Sequence, residues 1–67
     1  MVNSNKLKAK MIEKGYNQKT LANAMGITTQ TLNYKINGVR EFKVSEIEKL
    51  CSLLSINKRE TGQFFFV

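Results

Sequence analysis

Histidine and proline are absent from this 67-residue chain, and cysteine occurs once. Each absence removes a class of function. Without histidine the chain lacks the commonest general base and any Ser-His or Cys-His nucleophile pair. A single thiol, Cys51, excludes an intramolecular disulfide and leaves a cysteine-based zinc site short of ligands. Acids are also scarce. Glu13, Glu41, Glu46, Glu48 and Glu60 are the whole set, and they form no paired-carboxylate motif. The expectation is a protein that is not an enzyme, with no catalytic residue, no metal site and no cofactor. Long apolar runs are missing too. The longest, Phe64-Phe65-Phe66-Val67, is far too short to span a bilayer, and no signal-peptide core follows the N-terminal lysines. These features point to a soluble protein of a reducing compartment with no membrane partner. The length allows one domain, residues 1–67, with a modest core.

What the chain does have is positive charge, unevenly placed. Of the net +6, residues 1–35 supply +5, from six lysines against one glutamate. A lopsided basic surface suits a polyanionic partner, although the same charge also serves as a solubilising face.

The pattern of caps and apolar spacings predicts four or five short helices and no repeat. The first runs from about residue 4 to 14, capped by Ser4 or Asn3 and ended by Gly15, with Leu7 and Met11 inward and Ile12 beside them. The second follows Asn17, a good N-cap, and puts Leu21, Ala22 and Met25 inward before Gly26 stops it. The third starts at Thr28 and ends at Asn37-Gly38. Phe42 is expected to plug the core from the loop that follows. Ser45 and Glu48 have capping-box spacing for a fourth helix, whose inner face carries Ile47, Leu50, Cys51 and Leu54. Cys51 therefore reads as a small core side chain rather than a reactive thiol. Asn57 and Glu60 repeat the capping spacing for a last short helix.

The stretch TTQTLNYKING, residues 28–38, is unusual for a surface helix. Leu32 and Ile36 stand four apart and hold one face to the body. The opposite face carries Thr29, Gln30, Asn33 and Tyr34, with Lys35 at its edge, and no acid occurs between Gly15 and Arg40. Only Gly26-Ile27-Thr28 separates this helix from the one before it. So short a link forces two helices to cross steeply, as in a helix-turn-helix.

Gln18-x-x-Leu21-Ala22-x-x-x-Gly26-Ile27-Thr28-x-x-x-Leu32 resembles the helix-turn-helix of lambdoid phage repressors and Cro, the XRE-type family. Lys35-Ile36-Asn37-Gly38, then Phe42 and the fourth helix, extend the likeness to short regulators of phages and mobile elements. The resemblance covers residues 4 to about 56. It implies an all-α class, a compact five-helix lambda-repressor-like DNA-binding domain. It also implies a sequence-specific transcriptional regulator, a repressor working in the bacterial cytoplasm at the nucleoid. Lys10 departs from the pattern, standing where an aliphatic residue is common, so its stem is expected to lie along the core.

In that geometry the third helix enters the major groove of double-stranded DNA with its N-terminal residues at the base edges. The resemblance then implies base contacts from Thr29, Gln30, Asn33 and Tyr34, and phosphate contacts from Gln18, Thr28, Lys35, Asn37 and Arg40. Gln30 is the strongest candidate, since glutamine can bond adenine through N6 and N7. Gln18 stands at a helix start, where free N–H groups favour an anion. Tyr34 has several roles open to it: stacking on sugar, touching a thymine methyl, bonding a phosphate, or merely covering apolar neighbours. Asn33 reads equally as a solvated polar residue. Family members usually bind palindromic operators as homodimers. Here only the last two helices or residues 64–67 are left to form the dimer. The alternative reading is a protein-binding module, antirepressor or antitoxin-like, that uses the apolar tail.

Overall fold

In a computed structural model, residues 2–66 are described, and they form five helices: α1 (Ser4–Glu13), α2 (Gln18–Met25), α3 (Thr29–Ile36), α4 (Val44–Leu53) and α5 (Thr61–Phe65). No strand occurs among the described residues, so the fold is all-α. The bundle measures 27 × 24 × 21 Å.

The starts of the first three helices follow from their capping side chains. Asn3 accepts a hydrogen bond from the Lys6 N–H, and Thr28 from the Thr31 N–H at 3.1 Å. Asn17 and Thr20 cap each other reciprocally, at 2.8 and 3.0 Å. The ends share another device. The N–H one residue beyond a left-handed turn bonds back to a carbonyl five residues earlier, the signature of a Schellman closure. It appears as Tyr16 to Met11, Ile27 to Ala22, Val39 to Tyr34 and Ile56 to Cys51. At Gly26 the closure requires φ of +73°, which costs glycine little. At the end of α4 the same position is taken by Ser55, with φ of +54°, the only non-glycine residue with positive φ among those described.

One apolar cluster holds the helices together. Six side chains are fully buried: Leu7, Leu21, Leu32, Ile36, Leu50 and Leu54. Two of the six belong to α3, so that short helix is fixed by its inner face; truncating either to alanine would cost about 2–5 kcal/mol. Helices α2 and α3 make the most extensive helix–helix contact, and α1 packs on α3 and α5. The start of the chain is tied in as well. The Asn3 N–H donates to the Phe64 carbonyl at 2.7 Å, and the Ser4 hydroxyl donates to the Ile36 carbonyl at the end of α3.

Three expectations need correction. Ile12 is 76% exposed, because it lies about 100° around the helix from Met11 and away from the Leu7–Met11 stripe. The fourth helix begins at Val44, and its first turn is closed by Glu46, whose carboxylate accepts the Lys43 N–H at 2.8 Å; Ser45 and Glu48 form no capping box. Cys51 packs against the core but is only half-buried, with its Sγ 3.7 Å from the Thr61 hydroxyl. Lys10 behaves as its position suggests. Its stem is largely covered and its ammonium reaches Glu13 at 3.3 Å. Phe42 is half-buried, edge-on to Phe65 with ring centroids 5.5 Å apart. Phe64 and Phe65 fold inward, while Phe66 is 67% exposed; Val67 lies outside the described residues.

Glu46 also binds a second helix. Both of its carboxylate oxygens accept from the Lys35 ammonium, the longer bond being 2.6 Å, and both side chains are mostly shielded from water. Burial opposes ionisation of this carboxyl. The Lys35 hydrogen bond, the Lys43 N–H and the charges of both lysines outweigh it, so its pKa falls below the usual 4.5. The pair fastens the C-terminal turn of α3 to the N-terminal turn of α4.

Two sets of variants test these points. Ser55→Gly should raise stability by about 0.5 kcal/mol or more by relieving the left-handed strain. Gly26→Ala should lower it by about 1 kcal/mol through backbone strain alone, since an added Cβ would meet nothing within 4 Å. Thermal unfolding measures both. A lowered carboxyl pKa contributes stability above the unfolded value and loses it as pH falls through the folded value. The stability gap between the native protein and Glu46→Gln should therefore narrow as pH drops below about 4.5. Urea unfolding at a series of pH values checks this, and a pH-independent gap would refute it.

Candidate nucleic-acid interface

The outer face of α3 takes its chemistry from the phase of the helix. Leu32 and Ile36 point to the core, so Gln30 and Tyr34, roughly two residues out of phase with them, lie on the opposite side. Thr28, Thr29 and Gln30 are exposed at the N-terminal end, and Asn33 and Tyr34 are half-buried along the middle. Asn37 and Arg40 are exposed beyond the C-terminal end.

These side chains form a linked row rather than a set of independent groups. The Gln30 amide donates to the Tyr34 hydroxyl at 2.9 Å, one helical turn further on. The Arg40 guanidinium lies over the Tyr34 ring, 5.6 Å from its centroid. The Asn33 amide donates to the Gln18 side-chain oxygen at 3.2 Å, crossing from α3 to the start of α2. Thr28 donates to the Thr31 hydroxyl at 2.8 Å. Lys8 of α1 reaches the Asn37 side-chain oxygen at 3.3 Å. Thus α1, α2 and the loop after α3 all converge on one polar surface.

Electrostatics separates this surface from the rest of the molecule. Its uncharged side chains offer donors and acceptors, and Arg40 and Lys8 border it with positive charge. No acidic residue is found from Tyr16 to Val39. Such a surface is suited to hydrogen-bonding a polar, negatively charged partner. Among the described residues no group of three His, Cys, Asp or Glu side chains could hold a metal ion. No helix of the described residues is long and apolar enough to cross a membrane.

The structure distributes the expected site residues unequally. Gln30, Tyr34 and Arg40 are linked on the outer side of α3 and Asn33 joins Gln18 beside them, while Thr28, Thr29 and Asn37 are exposed at the two ends of the helix. Lys35 does not join them as a phosphate ligand. It is 6% exposed, with its ammonium turned to Glu46. The physical reason is the desolvation cost of a buried cation, which is met by pairing. Asn33 and Gln18, expected to touch different parts of a partner, are joined to each other. Sequence reasoning missed Glu46 and Lys8 as supports of this face. The signal for Glu46 was its place one turn before the buried Leu50, on the edge of the inner face of α4. For Lys8 no local signal exists, because its partner Asn37 is 29 residues away.

A family model described as "Protein of unknown function (DUF739)" matches residues 2–67. No curated protein matches the chain. With a match running over nearly its whole length, the chain belongs to the DUF739 family.

Proposed function

We propose that this protein is a sequence-specific regulator of transcription that binds double-stranded DNA by placing α3 in the major groove. The observation that carries the reading is the outer face of α3. A row of exposed or half-buried, uncharged hydrogen-bonding side chains, free of acids, stands on a helix tied at both ends to the body of the fold. Base edges in the major groove present donors, acceptors and thymine methyls, which Thr29 and Gln30 match chemically. Gln18, Thr28, Asn37 and Arg40 surround that face as phosphate ligands that set register without reading sequence. The resemblance of residues 18–32 to phage repressors supports the same assignment. Repression by occupying a promoter, in a phage or mobile element of a bacterial cell, follows from that resemblance.

A homodimer on a palindromic operator fits the dimensions. Half-sites lie about 34 Å apart on the duplex, and a body 27 × 24 × 21 Å leaves room for two copies side by side. The competing reading, a protein-binding module built on the apolar tail, loses two of its three phenylalanines to the core.

Selection of binding sites from random duplexes, with the stoichiometry of the complex measured, tests the proposal. A palindrome bound by two chains is expected; failure to retain any duplex at low salt would overturn it. Gln30→Ala should flatten base preference at one position, with roughly a tenfold loss of discrimination there. Arg40→Ala should weaken binding to all duplexes and reduce the slope of log K against log salt by about 0.9. Lys35→Met combined with Glu46→Gln, which removes both charges of the pair together, should leave that slope unchanged, because the Lys35 charge faces Glu46.

A further inference from the structure

The geometry points to Tyr34 as a positioning residue for Gln30, one that presets the Gln30 side chain to read adenine. This rests on the DNA-binding reading above and deepens it by naming the base and the residue that selects it.

Tyr34 is itself held from several sides. Its carbonyl accepts the N–H groups of Val39 at 2.8 Å and Arg40 at 3.3 Å, which folds the chain back over the end of α3. That fold brings the Arg40 guanidinium over the Tyr34 ring. The ring is half-buried, and its hydroxyl stands 2.9 Å from the Gln30 amide nitrogen. Exposed glutamine side chains ordinarily sample many rotamers, and ordering one on binding costs free energy. Here the carboxamide is already tethered at the four-residue spacing that places two side chains next to each other on a helix.

The tether also constrains what Gln30 can offer. A glutamine carboxamide carries one acceptor oxygen and two N–H donors. With one N–H given to Tyr34, an acceptor and a single donor remain. Adenine presents the complementary pair in the major groove, the N6 amino donor and the N7 acceptor. Guanine presents two acceptors, O6 and N7, and leaves the carboxamide oxygen without a partner. The Tyr34 hydroxyl therefore favours adenine over guanine without touching the base.

Two measurements decide the matter. In site selection from random duplexes, native protein should prefer adenine at the position that Gln30→Ala flattens. Tyr34→Phe keeps the ring under Arg40 but removes the hydroxyl. It should weaken discrimination at that same position by about fivefold and leave the salt slope unchanged. Flattening at a different position would make Tyr34 a base contact in its own right and overturn the inference, as would an unaltered preference. Native protein that selects no duplex would instead bring down the DNA-binding reading beneath it. The second measurement needs no DNA. In nitrogen–proton correlation spectra of the free protein, the Gln30 side-chain amide should shift on Tyr34→Phe toward the position of an unbonded glutamine, while backbone resonances of the core stay in place. An unmoved Gln30 amide in a folded variant would also overturn it.

Discussion

Everything about α3 depends on the corner at Gly26. A left-handed residue ends α2, a capping hydroxyl starts α3, and one residue, Ile27, lies between them. The corner is fixed by hydrogen bonds on both sides: Ile27 N–H to the Ala22 carbonyl at 3.1 Å, and Thr31 N–H to the Thr28 hydroxyl at 3.1 Å. Neither side leaves the chain free to choose another direction. Leu21, Ala22, Leu32 and Ile36 then enter one core. The far end of α3 is secured by different means, the Lys35–Glu46 pair and the bond from the Ser4 hydroxyl to the Ile36 carbonyl. A helix of eight residues is too short to be stable alone. Here it is held by its ends and inner face, which leaves Gln30 and the exposed N-terminal threonines outside the core.

That division of labour connects fold to function. Polar groups on the outer face bond to one another along the surface, as Gln30 does to Tyr34 and Asn33 to Gln18. On the proposed reading, such bonds order the DNA-facing surface before the duplex arrives, and so reduce what binding must spend on entropy. The positive charge is handled in two ways. Lys35 is withdrawn into the body, where it holds helices together, while Lys8 and Arg40 remain at the edge of the polar row. A basic sequence is thus not a uniformly basic surface, and composition alone overstates the number of cations that can meet a polyanion.

Much of the fold was legible in the sequence because its signals are local. Asn17, Gly26 and Thr28 act within a few residues of themselves, so the bounds of α2 and α3 follow from capping chemistry. The inner faces follow from the four-residue spacing of Leu7 and Met11, and of Leu32 and Ile36. Local signals mislead where a residue's role is set by a distant partner or by competition between near-equal local choices. Glu46 and Glu48 are both plausible closers of α4, and only the docking of Lys35 favours the former. Ile12 has the right chemistry for the core but the wrong phase. The three consecutive phenylalanines have identical local preferences, and the approach of α1 and Phe42 sorts Phe64 and Phe65 inward from Phe66. Within the candidate site, the identity of the exposed residues was legible, whereas their mutual hydrogen bonds were not.

The proposed function requires that the outer face of α3 meet the bases of a duplex. Titrating isotope-labelled protein with duplex DNA and following backbone and side-chain amides tests it most directly. The largest shifts are expected at Thr29, Gln30, Asn33 and Tyr34, smaller ones at Gln18 and Arg40, and little change at Ile12 or Phe66. Shifts centred on Phe66, Val39 and Val44, or none at all with duplex in excess, would contradict it.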